Sequence, residues 1–272
     1  MKEIELIIEH SKHFRVRYGE IKYIIIHCST KSPYEQVKQL DQLGLSAHFI
    51  IGRDGEIVEN LSVDNVAYHA GISSWDKSLD KSLNEYSIGI ELEAPTLGQL
   101  KSDYTNKQIR SLLNLLDYLV VCYGIRKENI LGHSDIAPDR KPDPGIGFPW
   151  KTLANHGFGL WYDLRSLDKS TNEVELLEKI GYNINNLKAT RIAFCRHFLP
   201  SEVDKKVEVK WLVDNVFDDV FEIKNKEKYL KTLRAVAKVY TKNKEKWYFY
   251  CFKAVFLIYL FYVKYKDYGY GA

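Results

Sequence analysis

Two histidines and an aspartate in this 272-residue chain have the side-chain types that a catalytic metal needs: His27, His133 and Asp143. Two neutral imidazoles and one carboxylate fill three of the four positions of a tetrahedral zinc site and leave the fourth for water, the catalytic rather than the structural pattern. Such a water needs a base, and Glu91, on the open face of a strand, is suited to take its proton. Spacing alone does not single out this set, because eight histidines form many triples and no HExxH helix fixes two ligands locally.

The elements around these residues are legible. Tyr23 to His27 (YIIIH) reads as a buried strand with Tyr23, Ile25 and His27 on one face and His27 at its C-terminal end. Strand neighbours point opposite ways, so Cys28 cannot pair with His27 as a nucleophile and reads as a core residue. Ser32, Pro33 and Glu35 predict a helix over Pro33–Leu43 with Gly44 as its stop. Asp54-Gly55, between two apolar runs, predicts a hairpin. Tyr86 to Glu93 (YSIGIELE) predicts a strand with Ile88, Ile90 and Leu92 inward and Gly89, Glu91 and Glu93 on the other face, where Glu93 competes with Glu91 for the acid/base role. Thr105 and Gln108 cap a helix that runs to Gly124. Pro138, Pro142, Pro144 and Pro149 stiffen GHSDIAPDRKPDPGIGFPW, the loop carrying His133 and Asp143.

Lys+Arg 39 against Asp+Glu 36 gives a net charge of +3, which excludes a polybasic nucleic-acid binder, and 45% hydrophobic residues exclude a disordered chain. The four cysteines are too scattered for a metal knuckle and too few for a disulfide framework. Glu3, Glu5 and Glu9 interrupt the apolar residues of MKEIELIIEH, so no secretory signal is read there and the expected compartment is the cytoplasm; the alternative is the periplasm or envelope by another route or a tail anchor. After a polar patch at Ser166 to Asn172, helical patterns at Val174–Ile180, Leu187–Phe198 and Val209–Phe217 predict a small three-helix module over 172–222 with its own core. A basic, aromatic-rich tail occupies 223–272. Within it, WYFYCFKAVFLIYLFYV, flanked by Lys246, Lys264 and Lys266, has two readings: a membrane-associated helix, or a helix packed on the domain.

The strings IIIHCS, SAHFIIGRDGEIVE, AYHAG, SIGIELE, GHSDIAPDRKPDPG and HGFGLWYD, in this order from about Tyr23 to Asp163, resemble the zinc-dependent N-acetylmuramoyl-L-alanine amidases of the peptidoglycan recognition protein fold. Within that family the likeness is to the bacterial anhydro-muramyl amidases, and HGFGLWYD and ATRIAFCRHFLP resemble the branch with a C-terminal peptidoglycan-binding module. The resemblance implies an α/β fold with a mixed central β-sheet flanked by helices and a zinc amidase domain over 1–165. It implies that one catalytic zinc ion is held by His27, His133 and Asp143, with Glu91 as acid/base and Lys141 as the cation assisting the oxyanion. It places His69 and Trp75 along the substrate groove, although His48 and His69 also read as satisfied structural histidines. His10, His13, His156 and His197 show no partner pattern and read as surface or capping residues. The implied partner is peptidoglycan or an anhydro-muropeptide, cut between the lactyl group of muramic acid and L-alanine in wall degradation or recycling. The alternative is a non-catalytic peptidoglycan-binding or sensing protein on the same fold.

Overall fold

The computed structural model describes residues 6–77, 82–203 and 222–244. Its β-branched runs, which suit a pleated and buried surface, build a six-stranded sheet. The strands are β1 (Leu6–Ile8), β3 (Tyr23–Ser29), β4 (Phe49–Ile51), β5 (Ile57–Glu59), β7 (Ser87–Glu93) and β8 (Ile130–Gly132), in the spatial order β1-β5-β4-β7-β3-β8. Neighbours are parallel except β4 and β5, joined by the predicted hairpin with Gly55 at φ +91°. β2 (Phe14–Val16) and β6 (Asn65–Ala67) form a separate antiparallel ribbon. The mixed sheet with flanking helices is the expected fold class.

α1 (Pro33–Leu43) starts and stops where its signals lie: the Glu35 carboxylate accepts from the Ser32 N–H and hydroxyl, and Gly44 adopts φ +68°. α2 (Asn106–Tyr123) opens with the Thr105 hydroxyl accepting the Gln108 N–H at 3.1 Å. It buries Ile109, Leu112, Leu116 and Leu119 against Ile24, Ile26, Ile88, Ile90 and Leu92 on one sheet face. Burial of this kind contributes about 1.5–3 kcal/mol per large aliphatic side chain. Cys28 lies in the same core, as its strand position requires. Two short helices, α3 (His133–Ile136) and α4 (Trp150–Asn155), follow β8.

The opposite sheet face presents Ile25 and Leu131, which must also be covered. Their cover comes from α5 (Glu173–Ile180), α6 (Leu187–Phe198) and α7, described over 226–244. Leu176, Leu177, Phe194, Leu233, Val236 and Tyr240 join Ile25 and Leu131 in one buried cluster. α5 and α6, from the stretch expected as a small module over 172–222, thus share a buried cluster with the sheet, and that cluster crosses residue 165. α7, expected as part of a basic tail, is a core helix. The polar patch at Ser166 to Asn172 is also tied down, with the Asp168 N–H donating to Arg234 O at 3.0 Å and Arg234 Nε donating back to Asp168 O at 2.9 Å. The predicted helix at 209–217 and the apolar run at 247–263 lie outside the described residues. Among the described residues no helix is long and apolar enough to cross a membrane.

Candidate active site

The C-terminal ends of three adjacent parallel strands converge. β3 and β7 are in register with His27 opposite Glu91, and β3 and β8 pair Ile26 with Gly132, so His133 begins α3 one residue beyond the sheet. Asp143 arrives from the proline-rich loop, whose Asp143–Pro144 peptide is cis. That loop is docked by backbone contacts: Tyr104 donates its hydroxyl to Pro144 O at 2.5 Å, and Gly147 donates its N–H to Gly98 O at 2.6 Å. The approach requires glycine, since a Cβ on Gly145, at φ +80°, would lie 2.5 Å from Gly98 O. Asp143 O in turn accepts the Ser134 N–H at 2.9 Å, joining the loop to α3.

His27 Nδ1 lies 2.9 Å from His133 Nδ1 and 3.2 Å from Asp143 Oδ2, and His133 Nδ1 lies 3.1 Å from Asp143 Oδ2. Ligand atoms about 2.0–2.2 Å from a tetrahedral zinc ion sit roughly 3.3 Å apart, so these three donors fit that ion. They are the one such group among the described residues. His133 Nε2 donates to Ala70 O at 3.1 Å, leaving its Nδ1 lone pair for the metal. Burial, then the neighbouring His133, holds His27 down to about 4 against the opposing pull of Asp143. Burial pushes the Asp143 carboxyl up, but His133 and His27 outweigh it and keep it well below the usual carboxylate range. A neutral imidazole beside a carboxylate is the protonation state that metal binding requires.

Glu91 is half-buried, and its Oε2 has no hydrogen-bond partner among the described residues. Burial first and the Asp143 charge second raise its carboxyl to about 8, opposed by a hydrogen bond from Gln36 and by the charge of Lys141. Lys141 also acts on His27, so the charge of its ammonium is felt at both the base and a ligand. Glu93 is engaged elsewhere, accepting the Arg53 N–H at 3.2 Å. A metal position, a carboxylate with one free oxygen and an ammonium together can activate water and stabilise a developing oxyanion.

Residues 17–146 match the family model of N-acetylmuramoyl-L-alanine amidases. Just under half of the chain is thus similar to the amidases of this family. The chain is 29% identical over 226 residues to the Escherichia coli K12 N-acetylmuramoyl-L-alanine amidase AmiD, covering 71% of this chain and 80% of that one. It is 43% identical over 112 residues to the 1,6-anhydro-N-acetylmuramyl-L-alanine amidase AmpD of the same strain, covering 41% of this chain and 58% of that one. The chain thus spans most of AmiD and little more than half of AmpD. A solved complex of E. coli AmiD with the substrate anhydro-N-acetylmuramic acid-L-Ala-D-gamma-Glu-L-Lys superposes with a TM-score of 0.65 at 27% identity, over 82% of this chain and 91% of that one.

The structure departs from one expectation about the groove. Trp75 is only 2% exposed and packs edge-on against Tyr182 and Tyr240, so it belongs to the core that α5, α6 and α7 complete. His69 has both ring nitrogens committed to protein partners, His27 and Ser87. Burial, then the neighbouring His27, holds His69 well below the usual imidazole value, so it is neutral. His48 is a satisfied structural histidine: Nδ1 accepts the Gly89 N–H at 2.9 Å and Nε2 donates to Asn65 O at 3.1 Å. Arg140, which taken alone reads as a solvated loop charge, donates to Ala70 O and Ile72 O and so braces the carbonyl that His133 uses. His197, expected at the surface, is 3% exposed and donates Nδ1–H to Asp135 Oδ2 at 2.8 Å. Asp135 also accepts from the Tyr182 hydroxyl at 2.6 Å and the Gly132 N–H at 2.8 Å, tying the helix of His133 to the C-terminal layer. Sequence reasoning missed Gln36, Asp135, Tyr182 and His197. Only Asp135 carried a local signal, standing three residues after Gly132 as a helix-capping carboxylate does.

Proposed function

We propose that this chain hydrolyses the amide bond joining the lactyl group of anhydro-N-acetylmuramic acid to L-alanine, using one zinc ion held by His27, His133 and Asp143. The observation that carries this reading is the convergence of three donor atoms 2.9–3.2 Å apart beside Glu91, whose Oε2 has no hydrogen-bond partner among the described residues. The substrate class is supported by the likeness to AmiD, whose solved complex contains an anhydro-muramyl tripeptide.

When bound, zinc supplies a Lewis acid that lowers the pKa of a coordinated water towards roughly 7. Glu91 accepts the proton as water attacks the lactyl carbonyl, then returns it to the amine of L-alanine as the C–N bond breaks. A carboxyl raised close to neutral pH suits both directions of transfer. The Lys141 ammonium stabilises the negative charge that grows on the carbonyl oxygen, an effect of about 3 kcal/mol for a well-placed donor. A carboxylate ligand donates less charge than a thiolate, so Asp143 favours hydrolysis over recognition alone.

The test is to incubate the protein with anhydro-muramyl tripeptide, zinc-loaded and after chelation, and to follow free peptide by mass spectrometry. Release that requires zinc is expected. Binding of the muropeptide without release would assign the chain to the sensing alternative.

A further inference from the structure

Acceptors on two sides compete for the single ring proton of neutral His27. On one side His133 Nδ1 and Asp143 Oδ2 lie 2.9 and 3.2 Å from Nδ1; on the other, His69 Nδ1 lies 2.9 Å from Nε2. Only a proton on Nε2 leaves the Nδ1 lone pair facing His133 and Asp143.

The far end of the network decides between them. Ser87 donates its one hydroxyl proton to Leu83 O at 2.7 Å, so its oxygen accepts from His69 Nε2–H at 3.1 Å. A neutral ring protonated on Nε2 has a bare Nδ1, and His69 Nδ1 therefore accepts from His27 Nε2–H. The order runs from the Leu83 carbonyl through Ser87, His69 and His27, and it ends on the lone pair aimed at the metal position. His69 is held for this task. The Asn84 Oδ1 accepts the N–H groups of His69 and Ala70 at 3.2 and 2.8 Å. Its ring lies over Gly89, where any Cβ would come 2.5 Å from His69 Cγ, and it meets His27 edge-on with the ring planes at 89°. Gly89 in SIGIELE thus clears the space that the relay occupies.

We infer that His69 is a positioning residue that, anchored by Ser87, keeps the proton of His27 on Nε2 and so keeps Nδ1 free for the metal. The inference rests on the zinc reading of the site and deepens it. Outer partners of metal-bound histidines set tautomer and orientation, and losing one typically costs roughly 10- to 100-fold in metal affinity.

The experiment uses the whole 272-residue chain labelled with 15N-histidine. Ring-nitrogen shifts of the metal-free state report the tautomer of His27, and competition with a chromophoric chelator reports zinc affinity. Wild-type His27 should be protonated on Nε2. His69→Phe should move that proton to Nδ1 and weaken zinc binding by roughly 10- to 100-fold. His69→Asn, whose Oδ1 can accept from His27 Nε2–H, should retain the tautomer and most of the affinity. Ser87→Ala removes only the distant hydroxyl, and should shift the tautomer in the same direction as His69→Phe with a smaller loss; it carries the test alone if phenylalanine is not accommodated. A packing role for His69 leaves Ser87→Ala silent, and that result overturns the inference. So does wild-type zinc affinity in His69→Phe when His27→Ala has lost it. If His27→Ala also binds zinc normally, the zinc reading itself fails.

Discussion

Glu91 and His48 are both displaced from their ordinary acidities, by the same burial acting on opposite charge types. For Glu91 the consequence is catalytic. Glu91→Gln keeps the shape but can neither take nor return a proton, so kcat should fall roughly 100- to 10,000-fold while zinc affinity stays within a few-fold; steady-state kinetics and chelator competition check both. For His48 the consequence is stability. Burial holds its pKa at about 3, against an ordinary value of 6.5. A depressed folded pKa means that its stabilisation is complete above about pH 6.5 and is lost as pH falls towards 3. Between pH 6 and 4 the metal-free wild type should lose up to about 1.4 kcal/mol per pH unit more than His48→Gln, measured by urea unfolding at stepped pH. Coincident slopes would show that His48 is not held neutral by the fold. At this scale strand alternation and a strand end placed His27 and Glu91, while the family resemblance supplied their roles and those of His133 and Asp143. Gln36, Ser87 and the proton order through His69 were not, since each depends on side chains that only the folded sheet brings together.

The loop that delivers Asp143 is an element whose shape depends on two backbones in contact. Gly145→Ala would force an alanine to φ +80° and place its Cβ against Gly98 O. The expected cost is about 1–3 kcal/mol of stability, with weaker zinc binding because Asp143 lies two residues away; denaturant midpoints and chelator competition read the two effects, and unchanged values of both would remove this role for the loop. The long elements were legible in advance: α1 and α2 have local caps and stops, and Asp54-Gly55 marks its hairpin. β1, β2 and β6 were not, being three-residue strands with too few alternations to register. α7 was hidden by its lysines, although Tyr229, Leu233, Val236, Ala237 and Tyr240 form a stripe at helical spacing that the structure buries.

Across the whole molecule, one apolar cluster joins the sheet to α5, α6 and α7, and Asp135 fastens the helix of His133 to Tyr182 and His197. The HGFGLWYD and ATRIAFCRHFLP strings pointed to a C-terminal module, but composition could not show that its helices share the core of the sheet, because coverage of a sheet face is a tertiary property. A chain ended after Arg165 should therefore fail to melt cooperatively, since Ile25 and Leu131 would face water; a sharp thermal transition near that of the full chain would show that the first 165 residues are self-sufficient. The central claim is that this fold assembles one zinc site that hydrolyses a muramyl amide. Its most direct measurement is a titration of metal-free protein with zinc, following release of peptide from anhydro-muramyl tripeptide. Activity should rise from none, saturate at one zinc per chain, and be absent at every zinc level in His133→Ala. Full activity in the chelated protein, or undiminished activity in His133→Ala, would contradict it.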